Sequence, residues 1–220
     1  MNTAFIGYGS MASALAGRFA AAGHEVVVTG RDAAKAAALA EEVGGSAEAS
    51  SEAAVRGCDV VVIATPHGAV FDAIDAAGGP SAFAGKVVVD INNPVPGAYD
   101  SDFTLKSYDD GPSLAEAIQR RLPEARVVKA FNTCQADLWK LDPLEVDGRR
   151  FAVPICGDDA DAKAAVAELV EGMGGQVWDA GGVAAAGKIE AVAALTIQLL
   201  FEGRDHLTCF QLVQPEQKPV

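Results

Sequence analysis

Basic residues, histidine and cysteine are all scarce in this sequence. Seventeen Lys and Arg stand against 30 Asp and Glu, a formal net charge of −13, and no basic run exceeds the pairs Arg120-Arg121 and Arg149-Arg150. The chain therefore lacks the basic face that nucleic acid or an anionic membrane surface requires, and neither is expected as a partner. Its four cysteines, Cys58, Cys134, Cys156 and Cys209, lie far apart. They form neither a metal-binding pair nor a secreted disulfide framework, which points to a reducing cytoplasm and no metal site. Long apolar runs are missing too: the best candidate, residues 182–201, is interrupted by Lys188, Glu190, Thr196 and Gln198, so it reads as a core or interface helix rather than a membrane span. The chain opens on an apolar strand with no signal-peptide pattern, which again fits the cytoplasm.

What is present is a core. Half of the 220 residues are hydrophobic and 21% are charged, which excludes disorder. Short β-branched runs alternate with Ala-rich helical stretches from the start, the pattern of βαβ units building a parallel sheet. Strands are expected at residues 3–6, 25–28, 46–48, 59–65, 86–91 and 126–131, with helices between them over 7–22, 32–44, 67–77 and 113–122. Strand character resumes at 150–155, where Pro154 suggests an edge, then helix 161–172, a short strand 176–178 and an apolar helix 183–201. The fold class this predicts is α/β, a Rossmann doubly wound parallel sheet over residues 1–150 with a small C-terminal α+β cap over 151–220 packed on the same sheet. The 183–201 helix should be core or a homodimer surface.

Gly7-Tyr8-Gly9-Ser10-Met11-Ala12 is GxGxxA set between the first strand and its helix. Gly7 permits the tight turn, Gly9 lets backbone approach a pyrophosphate, and Ala12 lets helix and strand pack closely. Amide groups around Ser10 and Met11 would then face the anion with the helix dipole behind them. At the end of the second strand, where an Asp or Glu would bind a ribose 2′-hydroxyl and mark NAD, the chain reads Thr29-Gly30-Arg31, and Asp32 is better explained as the next helix's N-cap. A hydroxyl, a glycine and a guanidinium suit a 2′-phosphate, with Lys35 one turn on as a helper, so NADP(H) is the expected cofactor. The alternative is that Arg31 is a solvated surface charge.

Ligands of open α/β sheets lie beyond the carboxyl ends of the strands. Ala64-Thr65-Pro66-His67, Asn92-Asn93-Pro94 and Ala130-Phe131-Asn132-Thr133 should therefore line the nicotinamide half, with His67 either a ribose contact or solvated and Asn93-Pro94 a candidate cis bond. Acid–base residues are few. No Tyr-x-x-x-Lys pair or Ser/His/Asp set is present, and the loop over 98–112 offers only Tyr99, Lys106 and Tyr108. Hydride transfer to a carbonyl or imine calls for a positioned acid, for which His67, Lys106 and Tyr108 are the candidates. An acceptor that is itself a redox ring needs mainly orientation.

With AFIGYGSMASALAGRFAAAGHEVVVTGRD, VVVIATP, VVVDINNPV, VVKAFNT and ICGDDADAKAAVAELVEGMGG in this order, the chain resembles the NADP oxidoreductases that use coenzyme F420. The resemblance implies NADP(H) and a second flat ring, a deazaflavin or a flavin, stacked for direct hydride exchange. Carried over by position, it implies Tyr8 to Met11, Thr29, Arg31 and Lys35 at the phosphates, and Thr65, Asn92, Pro94 and Asn132 near the nicotinamide. The opening also looks like pyrroline-5-carboxylate reductases and β-hydroxyacid dehydrogenases, but those continue into a long helical domain where this chain resumes strands. Membrane ferric reductases share the NADPH domain alone. Residues 98–111 match no motif of the family, which leaves a flavin, a ferric chelate or a quinone open as acceptor beside the deazaflavin; two other readings are a non-catalytic NADP(H)-binding redox sensor and a reductase of small carbonyls or imines.

Overall fold

The computed structural model describes residues 1–95, 103–106, 108, 113–205 and 207–212. Most of the 98–112 stretch, Tyr99 included, thus lies outside the described residues. Chain order is β1 (Asn2–Ile6), α1 (Ser10–Ala21), β2 (Glu25–Thr29), α2 (Ala33–Val43), β3 (Ser46–Ala47), α3 (Ser51–Gly57), β4 (Val60–Ile63), α4 (Val70–Ala76), α5 (Gly79–Phe83), β5 (Val87–Asp90), α6 (Leu114–Arg121) and β6 (Arg126–Lys129). The six strands form one sheet in the order β3-β2-β1-β4-β5-β6, every pairing parallel, which is the Rossmann arrangement. The order reverses between β1 and β4, and there the cleft opens.

Helix starts follow the local chemistry. The carboxylate of Asp32 accepts from the amides of Ala34 and Lys35 at the head of α2, Ser50 caps α3, and Ser113 caps α6. The 67–77 helix begins as a 3-10 turn at His67–Ala69 before α4. Helix α5 escapes the periodicity because Gly78-Gly79-Pro80 reads as a break, yet proline is tolerated in a first turn, where its missing N–H has no partner to lose.

Beyond the sheet come α7 (Ala136–Trp139), the hairpin β7 (Glu145–Val146) and β8 (Arg149–Arg150), then β9 (Ala152–Ile155), α8 (Ala160–Gly172), β10 (Gln176–Asp179) and α9 (Ala186–Phe201). β9 and β10 pair in parallel, Pro154 opposite Trp178, and a bridge between Lys129 and Cys156 joins this small unit to β6. The Asn93-Pro94 bond is trans; the cis bond is Asp142-Pro143.

Alternate residues of each strand face opposite sides, so the sheet is buried on both. Phe5, Val28 and Val89 join Leu15 and Phe19 of α1 with Trp139, Phe151, Val166 and Leu169 from the C-terminal part. Ala4, Ile6, Val61 and Val88 face α3 to α6 and the start of α9. A column of rings, Phe5, Phe19, Phe131, Trp139 and Phe151, ties sheet to cap with successive centroids 5.2–5.7 Å apart. Helix α9 with its preceding turn, Val183–Phe201, is long and apolar enough to cross a membrane, but Ala186, Glu190, Ala193 and Ala194 on one side of it are packed into the protein.

Candidate functional site: a dinucleotide cleft and a neighbouring cavity

At the β1–α1 turn, Gly7 has φ +129°, and a Cβ there would stand 2.3 Å from the carbonyl oxygen of Ala64. No other residue fits that closeness of β1 and β4. Around Gly9 a Cβ would meet nothing within 4 Å, which is the open space a backbone-bound anion needs. Helix α1 has no side-chain cap, so its first amides are left for a ligand. Ala12 is wholly buried in the core. A Cβ on Gly30 would come within 2.8 Å of the Tyr8 ring, so the β2 end and the glycine-rich turn are fitted to each other.

Over the ends of β1, β2 and β4 lies a cavity of about 400 Å³ walled by Gly7, Tyr8, Gly9, Gly30, Arg31, Lys35, Ser51, Ala64, Thr65 and Pro66. Its size falls in the small-molecule range of roughly 300–1,000 Å³. Lys35 stands 6.0 Å over the Tyr8 ring. Ser10 lies on an adjoining groove with Tyr8 and Lys35. Among the described residues at the β2 end the nearest carboxylate, Asp32, caps α2 through Oδ1, while its Oδ2 stands 3.8 Å from the Lys35 ammonium. The Thr65 hydroxyl is buried without a partner. Thr29 departs from the expectation: it is fully buried, and its hydroxyl is held 3.0 Å from that of Ser51, so Ser51 supplies the hydroxyl on the cavity wall. In the sequence Ser51 signalled only a helix start.

A second cavity, of about 220 Å³, lies at the ends of β5 and β6. Met11, Ile91, Asn93, Asn132, Thr133, Cys134 and Gln135 line it on one side, and Ala193, Thr196, Ile197 and Leu200 of α9 on the other. Phe131, at φ +60°, turns the chain sharply after β6 and delivers Asn132 to the wall. The two asparagines clamp each other: the Asn93 amide donates to the Asn132 carbonyl at 2.8 Å, and the Asn132 amide donates to Asn93 Oδ1 at 2.8 Å. Asn132 Oδ1 and Gln135 Nε2 are buried without partners.

Asn92 does not reach this cavity. Its side-chain amide donates to the Ile63 carbonyl at 2.9 Å and to Asp90 at 3.0 Å, which turns it into the sheet end, and Asn93 takes the wall position instead. Pro94 and Ala130 are buried and line neither cavity; the Pro94 carbonyl accepts from the Lys106 amide at 2.7 Å.

His67, Lys106 and Tyr108 come together beside α4. The Lys106 ammonium lies 5.1 Å over the Tyr108 ring, which meets Phe71 edge-on at 6.2 Å. Burial, helped by the Lys106 charge, holds His67 below the ordinary imidazole value. Burial, with Glu190 and Asp90 behind it, pushes the Tyr108 hydroxyl up to about 12. None of the three lines either cavity.

Residues 2–94 match the family model described as NADP oxidoreductase coenzyme F420-dependent. The F420-dependent NADP reductase of Methanothermobacter thermautotrophicus is 32% identical over 213 residues, 90% of this chain and 88% of that protein. The rat Metalloreductase STEAP3 is 32% identical over 187 residues, 85% of this chain but 35% of that protein, so the chain spans about a third of that relative. Among solved structures, that of a candidate F420-dependent NADP reductase from Arthrobacter sp. FB24 superposes with a TM-score of 0.84 at 32% identity, covering 97% of this chain and 100% of the other.

Proposed function

The chain belongs to the coenzyme F420-dependent NADP oxidoreductase family, and on that premise we propose that it passes hydride between NADP(H) and a flat redox ring, a deazaflavin such as coenzyme F420 or a flavin, seated in the second cavity. The observation that carries this reading is the pairing of the two cavities. One is walled by a glycine-rich turn and two cations; the other, mainly apolar, is lined by Met11 in the first turn of α1, two residues past Gly9 on the wall of the first.

The residues present fit NADP(H). Gly9 and the uncapped amides of α1 bind the pyrophosphate, while Gly7 and Ala12 allow the close approach. Arg31 and Lys35, with the Ser51 hydroxyl, bind the 2′-phosphate, a charge-assisted contact that Arg makes with a planar fork. The bound dinucleotide supplies hydride from its nicotinamide ring. Asn93 and Asn132 hold each other rigid at the cavity edge, leaving the Asn132 oxygen and the Gln135 amide to orient a polar ring edge. The apolar wall from Met11, Ile91 and α9 excludes water from the reacting faces.

Acid–base chemistry also favours a ring acceptor over a carbonyl. His67, Lys106 and Tyr108, the candidate acids, line neither cavity, and burial lowers the pKa of His67 and raises that of Tyr108 from their ordinary values. Cysteines all free suit a cytoplasmic setting, and the apolar outer side of α9 suits a second copy of the chain.

The test is a panel. Purified protein should melt higher with NADPH than without, and should oxidise NADPH with coenzyme F420 or FMN. Binding without turnover against F420, FMN, FAD and ferric chelates would reject the enzyme reading in favour of a sensor. Turnover with cyclic imines but no ring would favour the reductase.

A further inference from the structure

Three ionisable side chains are buried together beneath the second cavity. Lys129 at the end of β6 and Asp90 at the end of β5 are fully buried, and Glu190 of α9 is 1% exposed. The Lys129 ammonium lies 2.8 Å from Asp90 Oδ2 and 3.0 Å from Glu190 Oε1, and also donates to the Asn92 carbonyl. All its three protons are thereby directed. The network continues outward: Asp90 Oδ1 accepts from the Asn92 backbone amide at 3.0 Å, the Asn92 side chain reaches the end of β4, and Glu190 Oε2 accepts from the Leu114 amide. Burial disfavours charge on Lys129, but the two carboxylates outweigh it and hold the ammonium above its ordinary value.

Such a cluster is a poor way to gain stability, because well-packed apolar groups would serve as well without desolvating charge. Ala186 and Ile189 already bury the start of α9. What an ion-pair hub adds is direction. Glu190, Ala193 and Ile197 share one side of α9 by their spacing, and the last two line the second cavity opposite Ile91, Asn93 and Asn132. Lys129 therefore connects the two walls of that cavity from below.

We propose that Glu190 is a positioning residue: through Lys129 it fixes where α9 stands against the ends of β5 and β6, and so sets the width of the space that receives the acceptor ring. The proposal rests on reading the second cavity as the acceptor site. Glu190 lines neither cavity; what matters is its reach to Lys129 and to the Leu114 amide.

The test compares Glu190→Ala, Glu190→Gln and Glu190→Asp. Glu190→Ala leaves the Asp90–Lys129 pair balanced and should still melt cooperatively. NADPH affinity, read by fluorescence titration, should stay within about twofold, while kcat/KM for coenzyme F420 or FMN falls roughly 10- to 100-fold, the scale of an ångström-sized misplacement. Glu190→Gln keeps the length and one acceptor for Lys129 but sets an NH2 against the Leu114 amide, so it should recover part of that loss, and Glu190→Asp, one methylene short of Lys129, should recover less. Recovery by Asp rather than Gln, or an equal loss of NADPH binding and ring reactivity in Glu190→Ala, overturns the proposal. If Glu190→Ala fails to fold, the Gln and Asp variants decide alone. A readout independent of turnover is alkylation of Cys134, on the cavity wall, by iodoacetamide: faster than the parent in Glu190→Ala and Glu190→Asp, with Glu190→Gln between them and the parent. If the parent protein reduces neither ring, the functional reading fails, and the Cys134 rates still test the position of α9.

Discussion

Arg31 and Lys35 face one cavity wall, and the carboxylate between them in sequence is turned to the amides of α2. Discrimination between the two nicotinamide dinucleotides follows from that arrangement. Arg31→Ala should weaken NADPH by about 1.5–3 kcal/mol, the worth of a charge-assisted contact, and leave NADH unchanged in a calorimetric titration. Equal effects on both would remove the phosphate assignment. Gly7→Ala should abolish binding of both and cost about 1–3 kcal/mol or more in a denaturant melt, because the new Cβ meets the backbone oxygen of Ala64 and φ is positive. His24 gives a pH signature. Burial first, then the N-terminal ammonium beside it, holds its pKa below the ordinary 6.5. The unfolded chain therefore takes up this proton more readily, so the His24 contribution is present above 6.5 and lost as pH falls through the lower folded value. Thermal melts taken downward through this range should fall, and less steeply in His24→Asn.

Among the elements, α6 is held at its start by one residue. The Ser113 hydroxyl accepts from the Glu116 amide at 3.2 Å and donates to the Glu116 carboxylate at 2.7 Å, in a fully buried position. Ser113→Ala should cost about 1 kcal/mol, read as a lower denaturation midpoint with unchanged m-value. The capping serines and aspartates, the glycine-rich turn and the β-branched runs were legible in the sequence because each acts within a few residues of itself. Helix α9 was legible as apolar but not in its orientation. Glu190 looked like an interruption of an apolar run; its partners, Lys129 on β6 and the Leu114 amide of α6, lie 61 and 76 residues away, and no local pattern reports that.

At the scale of the whole molecule, a chain of net charge −13 concentrates two of its few cations on the wall of one cavity at the β2 end, where the proposed polyanionic dinucleotide would need them. The outer side of α9 and the segment after it expose Val192, Leu195, Phe201, Leu207, Phe210 and Leu212, each at 41–52%. Val192 and Leu195 lie three apart on the exposed side of α9, where a second copy of the chain could cover them. Light scattering should give a dimer, and the double substitution Val192→Asp, Leu195→Asp should give a monomer that still binds NADPH. A monomeric parent protein would remove the dimer.

The sequence by itself determined the parallel sheet, the glycine-rich turn and the two cations at the β2 end, since strand burial, turn conformation and the charge at a strand end are written in adjacent residues. Tertiary structure alone decided that Ser51 rather than Thr29, and Asn93 rather than Asn92, reach the cavities, because alternate side chains at a strand end face opposite ways and a packed neighbour chooses between them. It also decided that α9 forms one wall of the cavity at the ends of β5 and β6, a placement that depends on contacts between segments that only the folded chain brings together.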